Sequence, residues 1–84
     1  MVTKPPMATT ELKEKEGQAL CLLVLGYTAV ENAALMKISS DYSYNLVRAL
    51  KQRFHSKTIA GVVSRAIAEG VVTPDGVLIT KPKP

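Results

Sequence analysis

Between Leu12 and Leu25 the apolar residues Leu12, Ala19, Leu20, Leu23 and Val24 recur at helical spacing, and Gly26 follows as a stop, which predicts a first helix. Thr9 or Thr10 is expected to cap it, with Glu11 and Glu14 favourable near the positive end of its dipole. Thr28 is positioned to cap a second, short, Ala-rich helix through Val30, Ala33, Ala34, Leu35 and Met36 that closes before Lys37. Ile38 then reads as an apolar plug, and Ser39-Ser40-Asp41 as the cap of a third helix. Tyr42, Leu46, Val47, Leu50 and Phe54 mark the inner face of that helix, and Asp41, Tyr44, Asn45, Arg48, Lys51 and Gln52 its polar face. Thr58 caps a fourth helix with an apolar stripe of Ile59, Val62, Val63, Ala66 and Ile67, ended by Gly70. Gly61 inside it costs about 1 kcal/mol relative to alanine, which implies the close approach of another backbone.

The flanks lack this periodicity. Residues 1–10, with Pro5 and Pro6 adjacent, read as a flexible arm, residues 11–72 as the folded domain, and residues 73–84 as a turn or hairpin and a tail. Pro74-Asp75-Gly76 between two β-branched runs predicts a small hairpin or a turned extension. Such a hairpin is marginal unless it packs on the helices or on a partner chain. Lys81 to Pro84 is expected to be disordered.

With 84 residues there is material for one modest core, and the aromatics are four: Phe54, Tyr27, Tyr42 and Tyr44. Leu, Val, Ile and Ala must therefore build the interior, which favours an all-α fold over a sandwich. One cysteine, Cys21, cannot form an internal disulfide, and with one histidine, His55, there is no Cys/His set for zinc. The segment Met1–Thr10 does not read as a signal peptide, and the longest apolar block, Ala19 to Leu25, is too short to span a membrane. A cytoplasmic protein without cofactor is expected. Neither a Gly-rich phosphate loop, a Ser/His/Asp set nor a paired-carboxylate pocket is present, so an enzyme is not expected. Cys21 reads as a small buried hydrophobe, His55 as a loop histidine near phosphate or solvent, and Glu14, Glu16 and Glu31 as dipole and salt-bridge partners.

The charge of +4 permits an anionic partner without requiring one. What sharpens the picture is a short helix, a brief turn and a longer helix whose polar face holds Asn45, Arg48 and Lys51, the arrangement a helix-turn-helix needs. Asparagine pairs with an adenine edge, arginine with guanine, and Ser39 and Ser40 at a helix N-terminus suit phosphate.

Leu12-Lys13-Glu14-Lys15-Glu16, Leu20, Leu22-Leu23, Gly26, Glu31, Ala33, Met36, Ile38-Ser39, Leu50, Thr58, Val62-Val63 and Ala66 together resemble the LuxR/GerE-type helix-turn-helix domain. That domain begins L-T-x-R-E, continues G-x-x-x-x-E-I-A-x-x-L-x-I-S and closes S/T-R-A-E-L-V. The register holds without a gap from Leu12 to Val72, about 61 of 84 residues. The resemblance implies a four-helix DNA-binding domain whose third helix enters the major groove and whose fourth, with Ile59, Val62, Val63, Ala66 and Ile67, mediates dimerisation. It carries base-facing positions onto Tyr44, Asn45 and Arg48, and phosphate-facing positions onto Thr28, Ser43, Lys51 and Lys57.

The departures are as informative. Tyr42-Ser43 replaces a threonine-valine pair, so a core valine becomes a hydroxyl; Asn32 replaces an apolar residue, Ala29 an asparagine, Tyr44 a lysine and Leu46 a histidine. Tyr42 is expected in the core or at its rim, and Tyr44 in a groove or a protein contact. Cys21 and Leu25 replace charged residues and leave the first helix apolar almost all round from Leu20 onward, in need of cover from the hairpin or from another subunit. Full-length members of the family carry a regulatory domain ahead of this module; none is expected here, which leaves control to abundance, partners or termini. The reading is a small regulator of bacterial, plasmid or phage origin that binds double-stranded DNA as a homodimer. Its alternative is a LuxR-like module that heterodimerises with a larger transcription factor and modulates it.

Overall fold

The computed structural model describes residues 12–79, which form four helices in the order α1 (Glu14–Val24), α2 (Ala29–Met36), α3 (Ser40–Arg53) and α4 (Ile59–Ala68). This is the all-α, helix-turn-helix-like architecture that the periodicity predicts. Leu20, Leu23, Leu46, Val47, Leu50, Phe54, Val62, Val71 and Val72 fill one core, with α3 packed against each of the other three helices.

Local chemistry explains most boundaries. Thr28 Oγ1 accepts from the Glu31 amide at 3.1 Å while a Glu31 carboxylate oxygen accepts from the Thr28 amide at 2.8 Å, a reciprocal box that starts α2. Ser39 Oγ accepts from the Tyr42 amide at 3.0 Å and starts α3, and Thr58 Oγ1 accepts from the Gly61 amide at 3.0 Å and starts α4. The start of α1 differs from expectation. Thr9 and Thr10 lie outside the described residues, and Lys13 occupies the cap, where its amide donates to Glu16 at 3.2 Å. The same Glu16 carboxylate, almost buried, meets the Arg53 guanidinium at 3.3 Å, so one side chain ties the beginning of α1 to the end of α3.

Between α2 and α3 the chain reverses through Lys37 at φ 58°, and the Ile38 amide returns to the Ala33 carbonyl at 3.0 Å, closing α2 with half-buried Ile38 as the plug. The inner line of α3 is Ser43, Val47, Leu50 and Phe54 together with Leu46. Tyr42 is therefore not core: it is 40% exposed, and Ser43 takes the inward place at 0%. Counting back four residues from Val47 lands on position 43, and a hydroxyl can be buried there because Ser43 Oγ donates to the Ala29 carbonyl at 2.7 Å.

A second polar group lies in the interior beside it. Asn32 is fully buried in α2, and its Nδ2 donates to the Ala19 carbonyl of α1 at 3.3 Å, while its Oδ1 has no hydrogen-bond partner. Burying an unmet acceptor costs about 1–3 kcal/mol. Leucine has the same branching and number of side-chain heavy atoms, so Asn32→Leu is expected to raise stability by about 1–2 kcal/mol, read as a higher midpoint in urea unfolding. A fall in the midpoint would mean that the Asn32–Ala19 bond outweighs the unmet acceptor.

After α4 the chain turns at Gly70, and a single antiparallel bridge pairs Val72 with Leu78 around Pro74-Asp75-Gly76. Thr73 and Val77 share a 2.9 Å hydrogen bond, and Gly76 sits at φ 81°. This minimal hairpin packs on α1. A Cβ on Gly76 would lie 2.8 Å from Leu25 Cγ and 3.2 Å from the Cys21 carbonyl oxygen, and the Leu78 side chain lies over Gly17. The hairpin thus covers Cys21 in part, whereas Leu25 stays 54% exposed beside it.

Gly61 answers to a different neighbour from the one expected. A Cβ there would collide with the Ser56 hydroxyl, not with a distant backbone. Ser56 Oγ donates to the Thr58 carbonyl at 2.9 Å and accepts from the Thr58 amide at 3.2 Å, which fixes it over the first turn of α4. Gly61→Ala gains helix propensity but displaces these bonds, and a net loss of about 1 kcal/mol is expected in thermal or urea unfolding. An isolated helix would show the opposite sign.

Candidate nucleic-acid interface

The outer side of α3 exposes Asp41, Tyr42, Tyr44, Asn45, Arg48 and Gln52, with Lys51 half-exposed. Tyr44, at 50% exposure, and Asn45 and Arg48 spring from one helical side because they are one, three and four residues apart. Charge is graded along the helix. Asp41 occupies the first turn, whereas Lys51 and Arg53 occupy the last, each sign opposite to the nearby dipole end.

At the C-terminal end of α3 the surface dips into an open concavity of about 450 Å³ lined by Arg48, Lys51, Gln52, His55, Ser56 and Lys57. The helix ends there through His55 at φ 52°, with the Ser56 amide reaching back to the Lys51 carbonyl at 2.9 Å. That sharp reversal folds Lys57 back beside Arg48 and Lys51, so three of the expected contacts converge with no carboxylate among the lining residues. Gln52, on the polar face that the spacing predicts, and His55, expected near phosphate or solvent, join them, as does Ser56, whose position just before a new cap says where the chain turns but not towards what.

Thr28 and Ser39 are exposed at the starts of α2 and α3, and each hydroxyl keeps its proton for an outside acceptor because the cap uses its oxygen as the acceptor. Ser40 is exposed beside Ser39. Ser43 does not belong to the set. Its side chain is sealed inside and its hydroxyl is spent on Ala29, so it has no path to a phosphate.

The apolar stripe of α4 divides in the same way. Val62 and Ala66 are fully buried in the chain's own core and cannot meet a partner, whereas Ile59, Val63 and Ile67, spaced by four, are half-exposed. Cys21 is partly buried, and burial pushes its thiol up from the ordinary cysteine value while a hydrogen bond from the Leu78 backbone pulls it back. No helix among the described residues is long and apolar enough to cross a membrane.

No family model matches the sequence, and no curated protein matches it. Among solved structures, the crystal structure of the phage VqmA–DPO complex superposes with a TM-score of 0.68 at 21% identity over 73% of this chain and 28% of that one. This chain thus spans little more than a quarter of that protein's length, and at such identity what the two share is the fold of this helical unit.

Proposed function

We propose that this protein is a small DNA-binding regulator of transcription that acts by binding rather than by catalysis. Its third helix lies in the major groove, with Tyr44, Asn45 and Arg48 towards base edges, while Lys51 and Lys57, with the hydroxyls of Thr28, Ser39 and Ser40, hold phosphates. The observation that carries this reading is the exposed polar side of α3 running into a concavity of Arg48, Lys51 and Lys57. Two copies pair through Ile59, Val63 and Ile67 of α4, which sets two recognition helices for half-sites about one helical turn, 34–36 Å, apart. Selection of bound genomic fragments followed by sequencing tests site and symmetry together: a palindrome of that spacing supports the dimer, and an unenriched pool defeats sequence-specific recognition.

A second reading rests on a separate feature. Leu25, at the C-terminal cap of α1, and Val30 and Leu35 of α2 are each 54% exposed and suit a partner protein. As a heterodimerising modulator of a larger regulator, the chain would bind no duplex at low salt and would form a stable one-to-one complex in light scattering.

A further inference from the structure

His55 lines the basic concavity, and the chain around it is pinned on both sides. Its amide donates to the Gln52 carbonyl at 3.2 Å, the Ser56 amide donates to the Lys51 carbonyl at 2.9 Å, and Phe54 just before it is sealed in the core. Beyond it, the Ser56 hydroxyl bonds both the carbonyl and the amide of Thr58. These bonds hold His55 at φ 52° and leave it exposed in the company of Arg48, Lys51 and Lys57.

No acid answers these cations at close range. The residues lining the concavity include no carboxylate. On α3 itself, Asp41 lies in the first turn, about 18 Å along the axis from Arg53 at the other end. Glu16 of α1 is engaged by Arg53, the first turn of α4 holds no acid, and α1, α2 and α4 contribute no lining residue. Among the residues that line the concavity, His55 is of the one type whose charge ordinarily changes between about pH 5 and 8.

A backbone phosphate seated against Lys51 and Lys57 brings the negative charge that the concavity lacks. An opposite charge within about 4–6 Å favours the protonated imidazole, which offers an N–H donor from each ring nitrogen. We propose that His55 joins Lys51 and Lys57 as a phosphate contact, made in its protonated form, so that duplex binding draws a proton from solvent. The inference rests on the DNA reading above and adds regulation to it: the protein holds DNA more tightly as the medium turns mildly acidic. The sign follows from linkage, since binding that favours the protonated form strengthens as pH falls and weakens as pH rises. Because phosphate contacts carry no base information, the effect falls on every sequence alike.

The test compares the full chain with its His55→Asn variant on a 30-base-pair random-sequence duplex by fluorescence anisotropy, at pH 6 and pH 8 and at 0.05 and 0.2 M salt. Asparagine tolerates the positive φ and carries no charge. The parent is expected to bind about six-fold more tightly at pH 6 than at pH 8. Its slope of log affinity against log salt is expected to be steeper at pH 6 by up to about 0.9, one further phosphate contact. His55→Asn is expected to lose both differences, and His55→Lys, charged at either pH, to restore tight binding at pH 8. Circular dichroism at both pH values checks that each chain stays folded. An equal pH response in the parent and His55→Asn, or a response with no change in salt slope, overturns the histidine contact and leaves the recognition helix standing. If the parent binds no duplex at 0.05 M salt at either pH, the DNA reading falls and the histidine contact with it.

Discussion

Replacing Arg48 and Lys51 together by alanine is expected to lower affinity for a selected duplex about 100-fold at 0.1 M salt, with little change in folding stability. The two residues act by different physics. Lys51 is a point charge at the end of α3, and losing one phosphate contact takes about 0.9 from the salt slope, a factor of about 8 at that salt. Arg48 lies on the side that holds Asn45, and a bidentate arginine–guanine contact is worth about 1–3 kcal/mol of discrimination. Arg48→Lys should accordingly keep the salt slope but flatten the preference at one base position. Anisotropy titrations at two salt concentrations, with circular dichroism melts of each variant, check both parts. An unchanged slope in the double variant would remove α3 from the interface and favour the heterodimer reading.

Phe54→Ala is expected to have the largest effect on stability, a loss of about 3–5 kcal/mol. Phe54 is 1% exposed and is the largest of the fully buried side chains, and it stands where α3 ends and the chain reverses towards α4. A chain of this length has a stability of roughly 4–13 kcal/mol at about 0.05–0.15 kcal/mol per residue, so the loss leaves the variant marginal or unfolded at 37 °C. Tyr44→Ala, at an exposed position on the same helix, should stay within about 0.5 kcal/mol of the parent. Urea unfolding of both variants measures the contrast; similar midpoints would mean that the C-terminal end of α3 is not anchored by the core.

The two predictions share a cause: the core side of α3 holds in place what the opposite side presents. Phe54, Leu50 and Val47 fix the axis, and the reversal at His55 then sets Lys57 beside Arg48 and Lys51. Much of the candidate site was legible because its parts are local. Thr28, Ser39 and Thr58 announce their helices through oxygens three residues from the amides they cap, and Asn45, Arg48 and Lys51 share a side by simple spacing. The convergence of Ser56 and Lys57 with Arg48 and Lys51 around one concavity was not legible. It depends on a positive φ at His55, a residue that gives no such signal as glycine would.

By itself, the sequence determined four helices, their polar and apolar sides, and three of their four caps, since each depends on residues within a turn of one another. It could not choose between adjacent lines of one helix, because positions 42 and 43, or 62 and 63, differ by only 100° and both border an apolar stripe. Docking made that choice: Ser43 turned inward because the Ala29 carbonyl lay opposite, Val62 and Ala66 turned inward and left Ile59, Val63 and Ile67 at the rim, and Asn32 came to rest against the Ala19 carbonyl. The cap of α1 passed to Lys13 because Glu16 reaches both its amide and Arg53, a residue 37 positions away. Partners so distant in the chain leave no periodic trace, and only the packed structure brings them within reach.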